Sequence, residues 1–184
     1  MATLILRNVL LILCTIGAFH VYGQNQENRD ANTHDSEASN QATTEIVLAD
    51  ISIIDAPEGF EVSDKINGYV HQSTGTSIVI SEIEKVNYIN MGKSMSDEYF
   101  ARNEITLVTK SELRSDYDAR GLVYKTTLTS KGIDYTRYFV FTGSTESTIW
   151  LSITHPSEYE PLIEGKILKC IQSINLEKST DDEN

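Results

Sequence analysis

From Ile46 onward the chain alternates between short apolar runs and polar breaks, and most of the runs carry a strand's period of two. "IVLADISIIDAPEGF" predicts a strand or strand pair that ends in a Pro-Glu-Gly turn. "GYVHQSTGTSIVISEI" predicts a hairpin, because Ser73-Thr74-Gly75 separates two β-rich runs. "GKSMSDEYFARNE" predicts one short helix capped by Ser94, with Asp97 and Glu98 near its positive end. Four strands follow, in "EITLVTKSEL", "RGLVYKTTLT", "IDYTRYFVFT" and "TIWLSIT". Their connections are short, which favours antiparallel neighbours.

The last element has a different period. In "PSEYEPLIEGKILKCIQSINLE", Ile163, Ile167, Cys170, Ile171 and Ile174 make one apolar stripe of a helix, with Pro161 tolerated only near its start. Gly165 weakens that helix by roughly 1 kcal/mol relative to Ala. The order of elements gives an α+β class: a single antiparallel sheet with a short helix and a C-terminal amphipathic helix packed on it.

The segment before Ile46 reads differently. "MATLILRNVLLILCTIGAFHVYG" has one basic residue, Arg7, an apolar run from Val9 to Phe19, and Val21 and Gly23 at the positions that precede a cleavage. It reads as a signal peptide cut after Gly23, which implies a secreted or periplasmic protein. The run is shorter than the ~20 residues of a membrane span, so no stable membrane insertion is expected after cleavage. Leu13 before Cys14 does not fit a lipidation site. Residues 24–45 contain no Val, Ile, Leu or aromatic residue and read as a disordered polar spacer, and residues 178–184 as a polar tail. The domain is expected to span 46–177.

Charge narrows the partners. The chain carries a net charge of −12, and losing Arg7 with the leader takes it to −13. Nucleic acid is excluded, since phosphate binding needs clustered Lys and Arg. Anionic lipid is excluded on the same ground. With Cys14 removed, Cys170 is the only thiol, so no internal disulfide forms, and its place on the apolar stripe predicts a packing role.

A strand followed by "APEGF", then "GYV" and the β-run "TSIVISEI", a small helix, a meander with the spacing Gly121-x-x-Tyr124 and Gly132 eight positions on, and a closing helix that runs into Ile171 and Ser173-Ile174 together resemble the PsbP-like fold. That group includes PsbP, its bacterial relatives and the DcrB-like periplasmic lipoproteins. The resemblance covers about 46–177. It implies an exported, non-enzymatic accessory or binding domain, with no functional residue to carry over and no cofactor.

There is no Gly-x-Ser-x-Gly elbow, no phosphate-cradling glycine loop and no paired His or Cys motif. His71, at a strand end, and His155, before Pro156 at a loop, are the candidate bases of an alternative reading as a small secreted hydrolase. Asp116 and Asp118 in "SDYDARG" echo part of a calcium loop but lack its closing Glu, which leaves a cation-responsive structural domain as a further alternative. The competing reading is a turn whose Asp side chains bond nearby N–H groups. In the hairpin 132–156, the expected arrangement puts Phe139, Phe141, Ile149, Leu151 and Ile153 together beneath the helices. Tyr138 and Trp150 then share the other face, joined by Tyr124. If helices cover only one side, these three form an exposed binding surface for an unknown protein or small-molecule partner. If both sides are covered, they are packing residues.

Overall fold

The computed structural model describes residues 46–178, so the leader, the spacer and the acidic end of the tail lie outside the described residues. Eight strands form one antiparallel sheet: β1 (Ile46–Leu48), β2 (Glu61–Val62), β3 (Gly68–His71), β4 (Thr76–Glu84), β5 (Thr106–Arg114), β6 (Arg120–Ser130), β7 (Ile133–Gly143) and β8 (Ser147–Pro156). The order across the sheet is β2-β3-β4-β8-β7-β6-β5, with β1 pairing beside β3 on β4. The α+β class and the four-stranded meander expected from the sequence are both present.

One connection is not local. Between β4 and β5 the chain crosses the sheet over β8, β7 and β6, carried by two short helices, α1 (Tyr88–Ser94) and α2 (Asp97–Arg102). The single helix expected here is thus two. Asn87 caps α1, its side chain accepting from the Ile89 N–H at 2.7 Å. Ser96, not Ser94, caps α2 by accepting from the Tyr99 N–H at 3.2 Å. Ser94 ends α1 and turns its hydroxyl back to the Met91 carbonyl at 2.6 Å. Asp97 and Glu98 do occupy the first turn of α2, where the helix dipole favours them.

On the opposite face lies α3 (Glu160–Gln172), with Pro161 in its first turn. Its stripe of Ile163, Ile167, Cys170 and Ile171, continued by Ile174, is buried against Ile78, Ile80, Leu151, Ile153 and Val140. Burying each such Ile contributes about 1.5–3 kcal/mol, so this stripe accounts for most of the hold on the helix.

Both faces are therefore covered, and this decides the fate of the hairpin aromatics. The loop between the paired residues Gly143 and Thr148 has an even number of residues, so odd positions of β7 oppose even positions of β8. Phe141 pairs with Trp150, and Tyr138 pairs with Ile153. Phe139, Phe141, Tyr124 and Trp150 thus pack beneath α1 and α2 with Ile83, Met91 and Phe100. Tyr138 and Val140 join Ile149, Leu151 and Ile153 beneath α3. The expected grouping of Phe139 and Phe141 with the β8 isoleucines is corrected by this register.

Candidate functional site

None of the three residues expected to form an exposed aromatic surface is exposed. Tyr124 is 0%, Tyr138 2% and Trp150 4% accessible. Tyr138 lies on the opposite face of the sheet from the other two. The crossing of α1 and α2 covers the face that the sequence left open. Tyr124 is fixed there by its hydroxyl, which donates to the Gly92 carbonyl at 2.7 Å. These residues are scaffold.

The two histidines fare differently. His155 was expected at a loop edge, but it lies inside β8 with 0% exposure. It pairs with Thr136 on one side. On the other, Thr76 stands one step beyond the Ser77–Thr154 pair and so comes into line with it. Thr76 is in turn paired with His71. The fold thus brings both histidines into one row, two strands and so about 10 Å apart.

This row belongs to a polar belt across five strands beneath the first half of α3. His71 Nδ1 is 2.8 Å from Thr74 Oγ1, which is 2.6 Å from Thr76 Oγ1. Beyond His155, Thr136 Oγ1 donates to Glu160 Oε2 at 2.6 Å and lies 3.0 Å from Ser157 Oγ. Lys125, on β6, bonds both Glu160 and Glu164, the latter at 2.7 Å. Tyr138 donates to Glu164 Oε1 at 3.2 Å, and the Lys125 ammonium lies 5.6 Å from its ring centre.

The electrostatics of the belt are those of a fastening. Burial alone would lower the Lys125 ammonium, but its bonds to Glu160, Glu164 and Tyr138 more than reverse this and hold it charged. Burial pushes the other way on Glu160, yet Lys125 and Thr136 bring its carboxyl below the usual range. Burial raises the Tyr138 phenol to about 12. The His155 imidazole is lowered, chiefly by burial, and is neutral near pH 7. Its Nδ1 is 3.1 Å from the Pro156 carbonyl, a pure acceptor, so Nδ1 carries the proton. Nε2 is then a bare acceptor, enclosed and without a hydrogen-bond partner among the described residues. His71 packs its ring on Phe60 at 5.1 Å between centroids. Among the described residues, no carboxylate is hydrogen-bonded to either imidazole.

A surface cleft of about 420 Å³ lies beside the second half of α3, between the 55–58 loop and the turn joining β5 to β6. That volume is in the range of small-ligand sites. Its walls are tied together by backbone. The Asp116 N–H donates to the Gln172 carbonyl at 2.9 Å, and the Asp55 N–H to Ser173 Oγ at 2.8 Å. Lys166 reaches the Glu58 carbonyl at 2.8 Å. Lys169 and Asp116 line the same cleft, and neither has an ion-pair partner among the described residues. Cys170 reaches its floor but is 2% exposed, and burial pushes its thiol up to about 12, so it packs and does not react.

The acidic turn is held by Ser115. Ser115 Oγ, not an Asp carboxylate, accepts from the Tyr117 and Ala119 N–H groups, at 3.2 and 3.0 Å. Asp118 has φ of 60° and pairs with Arg114 at 3.3 Å. No group of three or more metal-capable side chains occurs among the described residues.

Comparison with known proteins leaves the family open. No family model matches the chain, and no curated protein does. A crystal structure of a protein of unknown function from Pseudomonas aeruginosa is similar at a TM-score of 0.45 and 13% identity, over 54% of this chain and 72% of that one. No helix among the described residues is long and apolar enough to cross a membrane.

Proposed function

We propose that this chain is an exported, non-enzymatic binding or accessory domain that meets its partner through the cleft beside α3. One contrast carries the reading. The ionised groups of the belt, Lys125, Glu160 and Glu164, satisfy one another, whereas Lys169 and Asp116, of opposite charge, line the cleft without an ion-pair partner among the described residues. A partner with both a cationic and an anionic group, such as a peptide segment, fits that pattern. The signal-peptide pattern ending at Gly23 and the resemblance to the PsbP-like fold support export and an accessory role.

Two measurements test this. N-terminal sequencing of the protein from its own cells should begin at Gln24, and an intact Met1 overturns export. Cross-linking on intact cells followed by pull-down should recover a partner that is lost in Lys169→Glu and Asp116→Lys while the melting temperature holds. Undiminished recovery in both variants overturns the cleft as the contact surface.

A further inference from the structure

The two edges of the sheet are built unequally. One ends in β2, only two residues long, which is a common way to blunt an edge. The other is β5, nine residues long, and all of it except Leu107 and Leu113 is exposed. β6 covers one side of β5, and no strand among the described residues covers the other. A strand of that length with unpaired N–H and C=O groups is a template for another strand.

The charges on β5 choose which strand. Lys110 and Glu112 pair with Tyr124 and Leu122 of β6, so both project on the α1/α2 face, and Arg114 follows on the same face. When two copies of an edge strand pair antiparallel about a two-fold axis, the axis runs normal to the sheet and each residue meets one from its own face. Three registers keep the axis on the charged middle of the strand; one through Leu113, which sets Glu112 against Arg114, would leave only the last residues of β5 paired. An axis through Lys110 sets lysine against lysine. One through Glu112 sets glutamate against glutamate and Lys110 against Arg114. An axis through Ser111 sets Lys110 against Glu112 twice, with Thr109 opposite Leu113 on the other face. Of these three, only the last has complementary charge.

The bulge agrees with it. Pairing with β6 skips from Leu107 to Thr109, so Val108 is the extra residue, and it is 50% exposed. Regular pairing with β6 runs from Thr109 to Arg114, so the five residues Thr109 to Leu113 that flank Ser111 symmetrically all lie within it, and the bulge lies just outside. The same lysine and bulge that discourage pairing with arbitrary strands therefore permit one partner.

We propose that the protein self-associates through β5, two copies pairing antiparallel about Ser111 to make one continuous sheet. Cross-strand ion pairs at Lys110–Glu112 set the register. This interface is independent of the cleft beside α3.

Sedimentation of the purified protein between about 1 and 100 µM tests it. The wild type should populate a dimer. Lys110→Glu and Glu112→Lys each replace two attractive pairs with two repulsive ones and should weaken the dimer by about tenfold or more. The double swap K110E/E112K restores opposite charges and should return affinity to within about threefold of wild type. Both side chains are exposed, and urea melts of each variant confirm its fold, so either single substitution suffices if the other misfolds. A wild type that stays monomeric at about 100 µM, a dimer indifferent to both single changes, or a double swap no better than the singles would overturn the proposal.

Discussion

Tyr138 and Trp150, on neighbouring strands, project from opposite faces of the sheet. Tyr138 points to α3 and hydrogen-bonds Glu164, while Trp150 stacks on Phe141 beneath α1 and α2 at 6.0 Å between centroids. Each is therefore a core residue of a different layer.

The first prediction concerns that core. Trp150→Ala should cost about 3–5 kcal/mol, because it empties a site packed by two phenylalanines. Tyr138→Phe removes only the hydroxyl and its bond to Glu164, and should cost about 1 kcal/mol. Urea unfolding followed by far-ultraviolet circular dichroism measures both. Equal and negligible losses would mean that the aromatics are not packed as described.

A second prediction concerns Lys125. Replacing it with Met leaves Glu160 and Glu164 facing each other without a counter-charge. The three side chains are 19%, 24% and 40% exposed, so solvent softens the penalty, and a loss of about 2 kcal/mol is expected. Adding Glu160→Gln and Glu164→Gln to that variant should recover part of it. Stability should also decline as pH falls from the ordinary Glu range through the lowered Glu160 pKa, since a carboxylate held ionised by folding favours the native state only above that point. Acid unfolding of wild type against Lys125→Met measures this. An unchanged acid midpoint would exclude the ion pairs as its source.

His155 gives a third, near neutrality. Its pKa is lowered in the folded state, so the unfolded chain binds the proton more readily. The sign follows: stability is full above about pH 6.5, where even the unfolded imidazole is neutral, and is lost as pH falls towards the folded value. His155→Gln should flatten that slope between about pH 7 and 5.5, which urea melts at several pH values will show. The facing groups, Lys125, Glu160, Glu164 and Tyr138, are unchanged in the variant, so a slope that persists undiminished assigns the effect elsewhere.

Much of the fold was legible along the chain, because the strands β5 to β8 and the stripe of α3 depend on local pattern. Residues 106–156 alternate as half-buried strands do, and Pro161 marks the start of the last helix within a residue. What the local pattern obscured was decided between elements. The run from Thr136 to Thr142 is buried at every position, as in a strand covered on both faces, and its unbroken stretch Tyr138–Phe141 carries that signal, while Thr136 and Thr142 at its ends suggest a polar face. The even loop after Gly143 was the available clue to the register. The cleft had no comparable signal, since Asp55, Asp116 and Lys169 are far apart in sequence and are gathered only by the docking of α3.

The crossing between β4 and β5 also sets a timetable. β4 is made early, but its long pairing is with β8, the last strand, and Thr148 reaches back 62 positions to bond the Val86 carbonyl. The meander of β5 to β8 closes through neighbours and is quick to form. Until β8 is complete, the apolar run of β4 has an open side. The central seam of the finished sheet is therefore the last to be sewn, and the chain is most vulnerable to misassociation at the place where it ends up most protected.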